Sequence, residues 1–254
     1  MRVLIVTVAG MSSRFSESIG EECLKCIYCT NTIEESLLYR LLHQPVEFDR
    51  YIIVGGYKFE ELQVVLNDKF RDKLDKIELV FNPQFSKYGS GYSLYCGLAV
   101  ALEYKPDEIV FAEGDLSVDE ASYRRVCLSS KSVITCNREA ILANRAVAFY
   151  FDLNNIPHYI YDTGHSALVI EEPFLAVYNS GQIWKFSDST VLKKVYESLS
   201  DEEWKGTNLV LVEKYFRSLT GEEYEIIAFE KWINCNIISD FRRTLDIDEG
   251  NVLR

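Results

Sequence analysis

An α/β fold is predicted from this sequence, with a central, mostly parallel mixed sheet between helical layers and a small antiparallel extension. Three observations carry that expectation. Short apolar runs bounded by Gly, Asn, Pro or Asp recur through the first half, as buried strands do. Stretches with helical spacing separate them, so strand and helix alternate four times, the signature of βαβ units. After about residue 140, strand-like runs follow one another without helices between them, which adds antiparallel strands to the sheet.

The elements follow in order. Strands are expected at residues 2–8, 51–54, 77–81, 108–112 and 133–135, and helices at 32–43, 59–74, 93–102 and 119–129. Leu37, Leu38, Leu41 and Leu42 recur at helical intervals, as do Leu62, Val65, Leu66 and Phe70. The antiparallel part draws on 146–151, 158–161, 167–170 and 175–184. Helices return at 187–199 and 202–218, with Ser200 and Asp201 as caps. A strand at 225–229 and a helix near 239–245 close the chain. No linker, repeat or low-complexity segment interrupts the series, so residues 1–254 are expected to form one domain, a three-layer Rossmann-like sandwich.

Composition narrows the function. The 27 Lys and Arg against 39 Asp and Glu give a formal charge of −12, the wrong sign for nucleic acid or an anionic membrane. Any anionic substrate must be met by a few placed cations. No run approaches the roughly 18 apolar residues of a membrane span, and the opening apolar segment, followed by Ser-rich sequence, reads as a first strand and not a signal peptide. Seven cysteines, an odd number, fit a reducing cytoplasm better than a disulfide framework. No motif sets the oligomeric state, and a homodimer is compatible with the chain.

In open α/β sheets ligands sit at the carboxyl ends of the strands, which directs attention to the loop after the first strand. It reads Ala9-Gly10-Met11-Ser12-Ser13-Arg14-Phe15, then polar sequence to Leu24-Lys25. Small residues there let backbone N–H groups approach phosphate oxygens, while Arg14 and Lys25 supply positive charge. Taken alone, the same residues also fit a turn with two surface cations.

Context decides between them. The loop resembles the A-G-x-G-S/T-R…P-K signature of the nucleotidyltransferase superfamily with the glycosyltransferase-A-like fold. Further similarities follow in the family's order. Val54-Gly55-Gly56-Tyr57 resembles its second-strand V-G-Y, and Asn82-Pro83 with Tyr88-Gly89-Ser90-Gly91-Tyr92-Ser93-Leu94 resembles the N-P…S-L segment of the phosphocholine cytidylyltransferase branch. Glu113-Gly114-Asp115 is similar to its metal-binding strand end, Ser180-Gly181 to the strand beside the acceptor pocket, and Trp232 to Asn236 to its closing element. The resemblance implies CTP as nucleotide donor, a small phosphate or phosphonate acceptor, and Mg²⁺, with Mn²⁺ as its substitute. It implies catalytic roles for Lys25 and Arg14, and nucleotide contacts from Val8, Ala9, Gly10, Met11, Ser12, Ser13, Gly56, Tyr88, Gly89, Ser90, Ser93, Glu113 and Gly114. Asp115 and Asn236 fall at the metal positions, and Trp184, Gly181 and Asn208 at the acceptor pocket.

The chain departs from the pattern in places. Ser12 replaces the second Gly of the loop, Leu24 the Pro before the lysine, and Asn236 a carboxylate, which leaves an oxygen ligand without its charge. The implied chemistry suits the residue types. An acceptor already anionic near neutral pH needs no general base, only cations that let two anions meet at the α-phosphorus. A sugar-1-phosphate acceptor is the alternative, kept open by Ile170-Glu171-Glu172-Pro173, which resembles the E-K-P segment of the sugar enzymes. A glycosyltransferase or a non-catalytic nucleotide binder are the readings from other classes. Cys23, Cys26 and Cys29 have metal-like spacing but lack a fourth ligand, and read as packing thiols. His165 reads as a loop residue. Trp184, Trp204, Tyr159 and Tyr161 read first as core or sheet residues, with cation–π contact to a cationic head group as the alternative for each and for Trp184 above all.

Overall fold

Successive side chains of a strand point to opposite faces of its sheet, and the first strand, β1 (Arg2–Thr7), feeds two separate cores in this way. Leu4 and Val6 join Leu38, Leu41, Leu62 and Val126 on one face, while Val3 and Ile5 join Leu94, Leu98, Leu192 and Val212 on the other. The predicted three layers are therefore present. The structure, a computed structural model, describes residues 1–142, 147–160 and 168–249.

After β1 come α1 (Ser13–Ile19), α2 (Leu37–Leu42), β2 (Arg50–Gly55), α3 (Phe59–Lys69), β3 (Ile77–Phe81) and α4 (Ser90–Ala101). Then follow β4 (Glu108–Glu113), β5 (Leu116–Val118), α5 (Glu120–Leu128), β6 (Ser132–Asn137), β7 (Ala148–Asp152), β8 (Pro157–Tyr159) and the long β9 (Phe174–Phe186). The remainder is α6 (Ser189–Ser198), α7 (Asp201–Lys205), α8 (Leu209–Arg217), β10 (Tyr224–Phe229), β11 (Trp232–Asn234) and α9 (Ile238–Glu249). The central sheet runs β10-β6-β9-β4-β1-β2-β3. Its strands are parallel except β9, which lies antiparallel between β4 and β6. The outer part of β9 carries β7, and β7 carries β8, as the expected antiparallel extension. A separate two-stranded ribbon joins β11 to β5.

Several expected boundaries move. The helix expected at 32–43 begins with a 3-10 turn, and α2 starts only after Ser36, whose hydroxyl accepts the Tyr39 N–H at 3.3 Å. The helix at 59–74 stops at Lys69, where Phe70 turns into the core. The single helix at 202–218 is two, α7 and α8, broken at Gly206. Carbonyls at the break are committed elsewhere: Lys205 and Gly206 accept the Gly89 and Gly91 N–H groups at the start of α4. Ser200, not Asp201, caps α7, through a reciprocal box with Glu203. Residues 168–170 form no strand, and residues 146, 161 and 167, with His165, lie outside the described residues. Among the described residues no helix is long and apolar enough to cross a membrane.

Candidate active site

A cleft of about 470 Å³ opens where β1 and β4 end, and it is floored by the loop after β1. The backbone there is anchored on both sides: Val8 N–H donates to the Val54 carbonyl at 2.8 Å and Tyr57 N–H to that of Ala9 at 3.1 Å. Nothing lies within 4 Å of where a Gly10 side chain would begin, so its backbone faces open space. Ser12, the N-cap of α1, has φ 56° and ψ 22°, the left-handed region that glycine adopts without strain. This explains the glycine in the resembled signature. Here the hydroxyl gives something in return, since Ser12 Oγ accepts the Lys25 N–H at 3.2 Å and ties the lysine's segment to the loop.

Lys25 opens a 3-10 turn and reaches across the cleft, where its Nζ lies 3.0 Å from Asp115 Oδ2. Arg14 also lines the cleft, exposed and with no ion-pair partner among the described residues. Asp115 sits in the tight turn between β4 and β5. Gly114 is required there, because a Cβ would stand 2.3 Å from Val8 Cγ1 and 2.9 Å from the Thr7 carbonyl. Glu113, one residue before that turn, receives the Asn208 amide N–H at 2.8 Å. Burial, reinforced by the neighbouring Asp115 charge, pushes the Glu113 carboxyl up to about 7. The opposite wall comes from Phe85, Tyr88, Gly89, Ser90 and Ser93 at the entrance to α4.

Of the residues singled out in the sequence, the cleft gathers Val8, Ala9, Gly10, Ser12, Arg14, Lys25, Tyr88, Gly89, Ser90, Ser93, Glu113, Gly114 and Asp115. Met11 and Ser13 belong to the same loop but are exposed outside the lining. Gly56 lies beneath it, against Phe85 and the Ala9 carbonyl. Asn208 stands behind the wall, joining Glu113 to α4 through its N–H to Ser90 Oγ at 3.2 Å. The expectation for Trp184 and Gly181 is corrected. Trp184 is fully buried, stacked on Phe111 at 5.2 Å and donating to the Tyr159 hydroxyl at 2.6 Å, so it packs the core and offers no face to a head group. Gly181 is equally internal, in a bulge of β9 where a Cβ would meet Thr135 Oγ1 at 2.5 Å. Both lie on the inner half of β9, where every residue from Asn179 to Phe186 is buried, polar ones included. Cys26 is buried, and its burial lifts the thiol to about 12. Phe85 carried no sequence signal beyond its place shortly after Asn82-Pro83.

The donor set fits a hard divalent cation. Asp115 Oδ1 is buried without a hydrogen-bond partner among the described residues, a state costing roughly 1–3 kcal/mol unless something satisfies it. Glu113, carrying a raised carboxyl, adjoins it. The Cys235 N–H donates to the Asp115 carbonyl at 2.8 Å, which brings the start of the Asn236 loop alongside, although the Asn236 amide N–H is spent on Asn234 Oδ1 at 3.0 Å. Among the described residues no three His, Cys, Asp or Glu form a closed cluster, so a cation here would need further oxygens from outside the protein.

The sequence pattern of a family described as "Domain of unknown function (DUF6564)" matches residues 21–247. No curated protein matches the sequence. Solved structures with a similar fold include the inositol-1-phosphate CTP transferase from T. maritima, at 16% identity and TM-score 0.68, covering 98% of this chain and 97% of that one. The CTP:phosphocholine cytidylyltransferase from Streptococcus pneumoniae is similar at 15% identity and TM-score 0.59, over 97% and 99% of the two chains. A putative glucose-1-phosphate thymidylyltransferase from Bacillus anthracis matches at 12% identity and TM-score 0.67, over 97% and 95%. The fold expected from the sequence resemblance is thus the fold observed.

Proposed function

The chain belongs to the family described as "Domain of unknown function (DUF6564)", and from its cleft we propose that it is a nucleotidyltransferase moving CMP from CTP to a small phosphate or phosphonate acceptor. The observation that carries this reading is the facing of Lys25 and Asp115 at 3.0 Å across the loop after β1, with the second Asp115 oxygen buried and unsatisfied. A lysine, a free arginine and a carboxylate waiting for a cation are what two meeting anions require. Proteins of this fold whose names state CTP or sugar-phosphate chemistry support it.

In this mechanism an oxygen of the acceptor phosphate donates its electron pair to the α-phosphorus of CTP. The bond from that phosphorus to the bridging oxygen breaks, and pyrophosphate leaves with the electrons. The acceptor is already ionised, so no side chain removes a proton. Backbone N–H groups around Ala9 and Gly10 receive phosphate oxygens, and Arg14 and Lys25 hold the charge that builds on the transferred and leaving groups. Asp115, with Glu113 close by and the segment of Asn236 joined to it through Cys235, would hold Mg²⁺ or Mn²⁺, which when bound would supply Lewis-acid neutralisation of the phosphates.

The test is a pyrophosphate-release screen of four ribonucleoside triphosphates against phosphorylated and phosphonylated metabolites. Release with CTP and an amino-alcohol phosphate or a phosphonate is expected. Turnover confined to sugar-1-phosphates moves the acceptor assignment to the sugar class. Release of a nucleoside diphosphate from a sugar nucleotide, with no pyrophosphate, overturns the reading.

A further inference from the structure

We propose that Phe85 is the stacking platform for the nucleobase, and that Gly56 is glycine in order to seat it; this deepens, and rests on, the nucleotidyltransferase reading of the cleft. Two aromatic side chains line the cleft, Phe85 and Tyr88. The Tyr88 ring is already engaged, edge-to-face with Tyr92 at 5.3 Å and under the Lys205 ammonium at 5.8 Å. Phe85 is half-buried and makes no ring–ring or cation–π contact among the described residues. Its Cβ and Cγ lie 2.5 and 2.7 Å from where a side chain at Gly56 would begin, so the backbone after β2 supports one side of the residue directly.

The sheet order sets which groups are this ring's neighbours. Asp115 follows β4, the phosphate loop follows β1, Gly56 follows β2 and Phe85 follows β3, in the order β4-β1-β2-β3. Phe85 thus stands close beside the phosphate loop, since its Cβ and the Ala9 carbonyl oxygen lie 2.5 and 2.9 Å from the same point above Gly56; an α-phosphate at the loop and a base on Phe85 would be near neighbours, as they are in one nucleotide. Arg14, Lys25, Glu113 and Asp115 line the cleft from the segment after β1 and the end of β4, and Phe85 lines it from the segment after β3. Stacking on one phenyl ring favours a base over a phosphate or sugar but discriminates little among bases. Choice of cytosine therefore falls to the hydrogen-bonding groups nearby and not to Phe85.

Binding of each ribonucleoside triphosphate and of inorganic triphosphate, measured by calorimetry in excess Mg²⁺, tests the assignment on the full chain. The variant Phe85→Ala is expected to weaken the best nucleotide about tenfold, within the range of one base–aromatic stack, while inorganic triphosphate binds as before. Phe85→Trp is expected to retain nucleotide affinity. Gly56→Ala, whose new methyl would collide with Phe85 and with the Ala9 carbonyl 2.9 Å away, is expected to weaken the nucleotide more than the triphosphate. Unchanged nucleotide binding in Phe85→Ala, or equal loss for both ligands, overturns the stacking role while leaving the nucleotide reading standing. A wild-type protein that binds no nucleotide overturns both.

Discussion

Lys25 shows how little one contact reveals of a residue's purpose. Its bond to Asp115 is partly exposed on both sides, and such pairs contribute of the order of 0–1 kcal/mol to stability. A cation on a transferring phosphate contributes several times that. Lys25→Ala should therefore lower turnover by about 100-fold or more with a small change in melting temperature; parallel kinetics and thermal melts check it, and a near-normal rate removes Lys25 from the mechanism. Glu113 makes the opposite trade. Its folded carboxyl titrates at about 7 against an ordinary 4.5, so the fold holds that proton more tightly than the unfolded chain does. The stabilisation is complete below about 4.5 and is lost as pH rises through 7. Melting temperatures of the metal-free protein should fall between pH 5 and pH 8 more steeply than those of Glu113→Gln; parallel curves would show that the carboxyl is not the source. That Lys25, Arg14 and Asp115 line one cleft was foreshadowed by the ordered family resemblance and not by the residues alone, which fit a turn with surface charges equally well. Trp184 was not legible, since a tryptophan in a strand looks the same whether its neighbour is a ligand or Phe111.

Helices and strands were legible wherever their own periodicity decided them. The alternation of β1, β2, β3 and β4 with intervening helices follows from local pattern, whereas the order of the strands in the sheet, with β9 between β4 and β6, appears only in the structure. The break between α7 and α8 was hidden because its cause lies far away in the chain. The apolar spacing continues through residues 202–218, but the carbonyls of Lys205 and Gly206 serve the first turn of α4. The ribbon of β5 and β11 escaped for the same reason, being two three-residue strands that exist only through each other. The α4 junction also yields a sharp expectation. A Cβ at Gly89 would lie 2.3 Å from the Gly206 carbonyl oxygen and 2.8 Å from its carbon, both backbone atoms that cannot rotate away. Gly89→Ala should force α4 and the α7–α8 break apart, lowering the melting temperature and nucleotide affinity together, whereas Gly10→Ala, with open space at its Cβ, should leave stability nearly unchanged. Thermal melts of the two variants side by side test this, and equal shifts would argue against the junction.

At the scale of the whole molecule the charge of −12 confronts anionic substrates with repulsion that a few cleft cations offset only at short range. Salt screens the distant charges first, over about 10 Å at 0.1 M. The second-order rate constant with nucleotide should therefore rise between about 10 mM and 100 mM KCl before it levels; a monotonic fall would mean that the cleft cations dominate at long range too. The two halves of the chain also meet at the cleft's rim. Phe15 of α1, Tyr28 and Phe241 of α9 pack edge-to-face at centroid distances of 5.0–6.3 Å, around a small core with Leu37 and Cys235, and the Ile238 N–H donates to Ser18. Seen from the ribosome, this arrangement has a schedule. The phosphate loop is made well before α9, and its supporting helix, backed early by Tyr28, gains Phe241 only when residue 241 has been made. In order of synthesis the strands β1 to β4 therefore come before the last support of the loop they present, and the site is completed by the two segments of the chain that are made furthest apart in time.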